Sequence, residues 1–525
     1  MADVEQPFTL LFKGAQLVDG SGAPAVTADV ATQDARIAAI GDLGNAKAAR
    51  VIDARGLTLC PGFIDVHSHS DLPLLTDPRS EPKVSQGITT ELLGADGLSY
   101  APLTPGLLQD VRTYLAGLYG NPDVEIPSDS VDAFLTRLDN QTSTNTLYLV
   151  PHQALRLMVR GWRGGPANDD ELQRMMELLE VGLRQGARGL GTGLDYFPHG
   201  TCTTDELVAL GRVVARHDGV LVAHVRYWIG LVEAVQEMAE VAAQSGVRVL
   251  ISHMRNAEAL PVIDKARARG LDIQFDTYPY NAGSSMFLMY LPFWVHEGGP
   301  AEMLRRLRDP FTRARLRAER HERLNGDLST MVISCIGEAD ALRGYEGRSL
   351  EWVMRERRQS DPVDAICDLL LETDLAVGYV AQGGTEDSLR ACIAHPAHLA
   401  STDAVLVGGR PHPRAYGTYP RYLGRYVREL GLLSLEECIR RMTGAAAACL
   451  RLKDRGLVRP GLAADLVLFD AERVLDRATF EEPRQAPEGI ELVVVNGVVV
   501  VESGRHSGAT PGVALRRSHA YDYRH

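Results

Sequence analysis

Eight short runs of β-prone and small residues, each ending in a polar cluster, recur through the middle of this 525-residue chain. In order they are Gly62 to His69, Gly87 to Asp96, Asn145 to His152, Arg188 to Tyr196, Val220 to Arg226, Val247 to Arg255, Leu271 to Tyr278 and His398 to Asp403. Helical i, i+3/i+4 spacing fills many of the gaps, as in Asp170 to Arg184 and Thr204 to Arg216. Eight strand-to-helix units specify an α/β fold, a TIM-type (β/α)8 barrel. Such a barrel keeps its chemistry at the C-terminal ends of its strands, where the polar clusters fall.

Both ends of the chain have a different texture. Phe8 to Gly14 and Arg36 to Gly41 are apolar runs punctuated by Asp19-Gly20 and Gly41-Asp42, and Asp465 to Asp470 and Glu491 to Val500 repeat the pattern. One small β-sandwich domain built from residues 1–60 and 457–525 is the expectation, with the barrel over 61–284 and 397–456. Residues 285–396 are too long for a βα connection and read as a mostly helical inserted lid, with helices over Ala301 to Arg320 and Ser349 to Glu372. The tail after Arg505 has histidines and arginines but no readable role.

Apolar residues at 45% and charged residues at 23% are ordinary globular values, so a core forms and disorder is not the default. A formal charge of −13 argues against a nucleic-acid partner. Met1 to Pro7 has neither a basic nor an apolar leader region, and no apolar run is long enough to span a membrane, so no membrane partner is expected. Seven scattered cysteines without a CxxC pair suggest buried thiols in a reducing, cytoplasmic setting.

His67-Ser-His69 closes the first run, and residues i and i+2 of a strand share a face, so both imidazoles can hold one cation. His224 and His253 each end a short apolar run, one βα repeat apart, and Asp403 ends the last. Singly, each has an ordinary structural explanation: a hydrogen-bonded core histidine, or a helix N-cap for the aspartate. Together, on the mouths of strands one, five, six and eight, they form a candidate metal site. No GxSxG nucleophile elbow is present.

Pro61 to Asp71, Gly189 to Pro198, Ile251 to Arg255, Asp276 to Gly283, His412 to Arg421 and the stretches Leu452 to Gly456 and Ala464 to Asp470 resemble the amidohydrolase superfamily. Within it the chain is most similar to the N-acyl-D-amino-acid deacylases (D-aminoacylases), over about residues 8 to 505. The resemblance implies a more exposed metal at His67 and His69 with Asp403, and a tightly held one at His224 and His253. The cofactor would be one tightly bound zinc, with room for a second. Most of the superfamily bridges two metals with a carboxylated lysine on strand four. This chain has no lysine between Lys83 and Lys265, which excludes that bridge. D-aminoacylases place a cysteine after strand two instead, and here Asp96 stands there as the expected ligand, with a turn-forming role before Gly97 as the alternative.

The implied reaction is hydrolysis of the linear amide of an N-acyl-D-amino acid, with Asp403 as general base and then acid. The substrate, a small molecule bearing a carboxylate, would be held by Arg255 and Arg414 together with Tyr196 and one of Tyr278 and Tyr280. A dipeptide or cyclic amide is the alternative substrate. A metal-free scaffold subunit is the alternative of another class, and the complete histidine and aspartate set argues against it. The sequence is compatible with a homo-oligomer. His152 can either reach the site or serve as a structural hydrogen-bonding residue.

Overall fold

The structure, a computed structural model, describes residues 7–517. All eight expected runs contain strands: β1 (Phe63–Asp65), β2 (Ile88–Leu93), β3 (Asn145–Pro151), β4 (Gly189–Gly193), β5 (Val220–His224), β6 (Arg248–Ile251), β7 (Ile273–Thr277) and β8 (His398–Ala400). They pair in parallel in chain order. Beyond β1 and β8, Ser68–His69 and Ala404–Val405 pair in parallel, so the first strand meets the last and the barrel closes. Buried on both faces, the strands need apolar or small residues at nearly every position. Ile64, Leu92, Leu149, Val222, Leu250 and Leu399 fill the interior as one cluster.

The surrounding helices start where local chemistry allows. Asp169–Arg184 opens on a capping box between Asn168 and Glu171, and Thr204–Arg216 on the Thr203 hydroxyl. The two chain ends share one nine-stranded sheet, joined where Thr58–Pro61 pairs antiparallel with Leu466–Phe469. It curls over a core containing Phe12, Val30, Ile37, Leu59, Leu468 and Val494. The run Glu491 to Val500 is a hairpin rather than one strand. It turns at Asn496-Gly497, both with positive φ, as a two-residue turn requires.

The segment between β7 and β8 is mostly helical, with two features that the sequence pattern did not show. Each expected helix is broken in two, giving Pro300–Arg308 and Pro310–Ala318, then Leu350–Glu356 and Pro362–Glu372, and in both cases the second piece starts at an Asp-Pro step. Proline lacks the N–H that would continue the helix, while Asp309 and Asp361 cap the next one. The segment also contains a three-stranded antiparallel sheet, Ala282–Met286, Gly378–Gln382 and Met331–Cys335. Its strands are too short to stand out from the helical periodicity around them.

The tail has a structural place as far as it is described. Arg505–His506 adds an edge strand, and Val513 and Leu515 exchange hydrogen bonds with Thr146 in β3. The tail's His519 and His525, and the first six residues of the chain, lie outside the described residues. All seven cysteines are buried and unpaired. No helix among the described residues is long and apolar enough to cross a membrane.

The barrel seam contains a feature absent from the sequence reading. Lys83 is fully buried, with Nζ 2.6 Å from Asp65 Oδ2, 3.3 Å from Glu91 Oε2, and donating to Ser68 and Thr402 hydroxyls at 2.8 and 2.9 Å. Asp65 also accepts from the Thr402 backbone N–H at 2.9 Å, linking β1 to the end of β8. Breaking a buried ion pair by deleting one partner typically costs about 3–5 kcal/mol. Lys83→Met is therefore expected to lower the thermal unfolding midpoint by several degrees. A midpoint equal to that of the parent protein would show that the seam does not depend on this charge.

Candidate metal centre

The strand ends bring six side chains together at the barrel mouth. His67 and His69 follow β1, Asp96 lies in the turn after β2, His224 is the last residue of β5, and His253 and Asp403 follow β6 and β8. His67 Nε2 lies 3.6 Å from Asp96 Oδ1 and 3.5 Å from Asp403 Oδ1; His69 Nε2 lies 3.6 Å from Asp96 Oδ2 and 3.3 Å from Asp403 Oδ1. Across Asp96, its carboxylate is 3.7 Å from His224 Nδ1 and 3.9 Å from His253 Nε2, and those two nitrogens are 2.9 Å apart. Asp96 thus belongs to two potential donor groups, one with His67 and His69 and one with His224 and His253.

Local backbone strain produces this convergence. Asp96, His253 and Asp403 all have positive φ, at 56°, 39° and 47°, a conformation that persists only where surrounding structure enforces it. Around Asp96 the enforcement is close packing. A Cβ on Gly94 would lie 2.4 Å from the Leu149 carbonyl oxygen, and one on Gly97 would lie 2.6 Å from that of Gly191. His199 donates from Nε2 to the Asp96 carbonyl at 3.0 Å and fixes the same turn.

Each histidine has an outer partner on its other ring nitrogen. His67 Nδ1 faces Asp276 Oδ2 at 3.4 Å and His69 Nδ1 faces the Tyr119 hydroxyl at 3.2 Å. His224 Nε2 faces Asp195 Oδ2 at 3.3 Å, and His253 Nδ1 the Tyr227 hydroxyl at 3.3 Å. The nitrogens turned toward Asp96 are therefore those without an outer partner, which is how metal-binding histidines are ordinarily oriented; His67 Nε2 has no hydrogen-bond partner, while His224 Nδ1 and His253 Nε2 face each other at 2.9 Å. None of these four partners was singled out in the sequence reading. Asp195 and Asp276 lie within the runs ending β4 and β7, but nothing local says which histidine they will meet.

The cluster suits a cation. His67 Nε2 and Asp96 Oδ1 are buried without a hydrogen-bond partner. Two ligands at about 2.0–2.2 Å from a tetrahedral zinc ion sit about 3.3–3.5 Å apart, close to most of the spacings above. Charge points the same way. Burial disfavours protonated His67, but Asp96, Asp403 and Asp276 outweigh it and raise the imidazole to about 10. His224 is likewise raised against burial, to about 9, by Asp195 and Asp96. Burial and the neighbouring His224 lower His253 to about 3. Burial would raise the Asp403 carboxyl, but Arg414, His67 and His69 hold it well below the usual range.

Beside the cluster is a cavity of about 1020 Å³, covered by the inserted segment through residues such as Met289, Tyr290, His321 and Arg323. Of the expected substrate residues, Tyr196, Arg255 and Tyr278 line it. Arg255 lies over the Tyr278 ring at 4.9 Å, donates from Nη1 to the Tyr280 and Ala282 carbonyls, and has an unpartnered Nε. Tyr280 does not line the cavity. Its N–H bonds to the Tyr278 carbonyl at 2.9 Å across Pro279, a turn that sends its ring toward Arg421 and its hydroxyl toward Asp476. Nor does Arg414: it is fully buried, with Nη1 2.8 Å from Asp403 Oδ2. His152 is a structural residue, hydrogen-bonded to Thr192 and Glu206 at 2.9 Å each.

The family model described as amidohydrolase family matches residues 50–501. Over 98% of its length the chain is 34% identical to a D-aminoacylase from Alcaligenes xylosoxydans xylosoxydans, of which 99% is covered. It is also 34% identical to an N-acyl-D-aspartate deacylase of the same organism, over 96% of this chain and 94% of the relative. Its fold matches, with a TM-score of 0.84, an N-acyl-D-glutamate deacylase from Bordetella bronchiseptica complexed with zinc and a phosphonate inhibitor that mimics the tetrahedral intermediate. That match is 32% identical and covers 98% of this chain and 100% of the other.

Because metal ligation requires neutral imidazoles, a divalent cation entering the cluster must displace the protons on His67 and His224. Zinc added to metal-free protein at pH 7 is therefore expected to release protons, and its apparent affinity to rise with pH up to about 10, where the last of the two imidazoles loses its proton. Calorimetric titration in buffers of different ionisation enthalpy measures this; heat independent of the buffer would contradict it.

Proposed function

The chain belongs to the amidohydrolase family, and from that membership we propose that it is a zinc-dependent hydrolase. It cleaves the linear amide of N-acyl-D-amino acids to a carboxylate and a free D-amino acid. The observation that carries this reading is the convergence of His67, His69, Asp96, His224, His253 and Asp403, with His67 Nε2 and Asp96 Oδ1 left unpartnered. His224 and His253 would hold the tighter ion, His67 and His69 with Asp403 a second one, and Asp96 would contribute to both. When bound, zinc lowers the pKa of a water toward about 7 and polarises the amide carbonyl.

The protein's own groups supply the rest. Against burial, Arg414, His67 and His69 favour the ionised form of Asp403; Arg414 pairs with its Oδ2, and Oδ1, which faces His67 and His69, would accept the proton of the attacking water. The same oxygen then delivers that proton to the leaving nitrogen, which must depart as an amine. Burial, with Asp96 adding to it, holds the Tyr196 hydroxyl pKa well above its usual value, so it stays a donor and can stabilise the developing oxyanion. Arg255, with Tyr278 beneath it, would hold the substrate carboxylate, because it lines the cavity and no carboxylate of the described residues pairs with it. Arg414 acts through Asp403 in this arrangement rather than on the substrate.

The test is amine release from paired N-acetyl-D- and N-acetyl-L-amino acids by zinc-reconstituted protein. Turnover of the D-forms is expected, with Asp403→Asn lowering kcat by about 10²–10⁴-fold, the usual contribution of a general acid–base. Failure of every D-form despite bound zinc would sink the D-aminoacylase reading.

A further inference from the structure

The outer partners of the four histidines are not equivalent. Asp276, behind His67, is fully buried and saturated: its Oδ1 also accepts from the His253 N–H at 3.0 Å and from Ser401 Oγ at 2.5 Å. Tyr119 and Tyr227, behind His69 and His253, are neutral hydroxyls. Asp195, behind His224, is the one carboxylate of the outer set that also lines the cavity. Its side chain is 15% exposed, its Oδ1 has no hydrogen-bond partner, and no lysine or arginine pairs with it among the described residues. A carboxylate placed there for stability would be expected to use both oxygens and to sit beside a cation. Asp195 does neither, and among the described residues its side chain makes one hydrogen bond, the 3.3 Å approach to His224 Nε2.

We propose that Asp195 is a positioning residue for the tighter metal. Its Oδ2 fixes the proton on His224 Nε2 and prevents the ring from flipping, so that the Nδ1 lone pair always faces Asp96 and His253. The separations support this, since Nδ1 is the atom 2.9 Å from His253 Nε2 and 3.7 Å from Asp96 Oδ2. A flipped ring would replace that nitrogen with a carbon. The carboxylate also raises the basicity of the imidazole toward a metal, as such outer partners do. The position is distinctive because Asp195 borders the cavity, so the group that holds a metal-facing histidine is one of the cavity's own lining residues. This inference rests on the metal reading above.

The test compares zinc affinity of the metal-stripped full-length protein, Asp195→Ala and Asp195→Asn by competition with a chromophoric chelator. Asp195→Ala is expected to weaken the tighter site about 10–100-fold. Asp195→Asn, which keeps an accepting oxygen but not the charge, is expected to recover part of the loss. The unfolding midpoints of the metal-free proteins should stay together, and the visible absorption of cobalt-substituted Asp195→Ala should differ from that of the parent. Zinc affinity in Asp195→Ala equal to that of the parent overturns this inference alone, as does a loss matched by an equal fall in metal-free stability. A parent protein that takes up no zinc overturns the metal reading together with it.

Discussion

The barrel closes where its first strand meets its last, and a buried lysine holds that junction. Lys83 places one positive charge between Asp65 and Glu91 in a region where none of the three reaches water. Burying a lone charge is prohibitive, and three arranged this way are tolerable only with hydroxyl and backbone donors around them. Ser68, Ser70, Thr144 and Thr402 complete that set. Immediately above, the Asp403 N–H bonds to the His67 carbonyl at 2.9 Å, so the same seam sets the spacing of two residues of the candidate centre.

The centre itself inverts that logic. At the seam, opposite charges are matched within the protein. At the mouth, Asp96 and Asp403 face four imidazoles, and among the described residues Arg414 is the one permanent cation paired with them. Against burial, Asp96 and Asp403 act on His67, and Asp195 and Asp96 on His224, to raise both imidazoles above their usual pKa. A cation bound there would offset the carboxylate charge and satisfy His67 Nε2 and Asp96 Oδ1, which have no hydrogen-bond partner. The strained backbone at Asp96, His253 and Asp403 fits the same picture, since strain persists where a site must hold its geometry in advance.

The legible parts of this protein were those written in short range. Strand-end histidines can be located because β-prone runs are short and their last residues must face the barrel mouth. Asp96 could be placed only through the resemblance to the D-aminoacylases, which have a ligand after the second strand, and its place between two donor groups depends on Gly94 and Gly97 packing against Leu149 and Gly191. Tyr278 and Tyr280 could not be told apart, because a hydrogen bond across Pro279 reverses what simple alternation would give. Arg414 was expected to meet a substrate carboxylate. Its position at the start of the helix Arg414–Arg421 instead delivers it to the carboxylate of Asp403.

The sequence by itself determined the eight-unit barrel, the union of the two chain ends in one sheet, and the strand-end histidines and aspartate that converge at the barrel mouth. Periodicity, strand ends and an absent lysine are local facts. Only the tertiary structure decided the orientation of each imidazole, because Asp195, Asp276, Tyr119 and Tyr227 come from other parts of the chain. It also decided the buried Lys83 network and the sheet within the inserted segment. Charge pairing and hydrogen bonding act over a few ångströms of space, and nothing along the chain records which distant residues will share those ångströms.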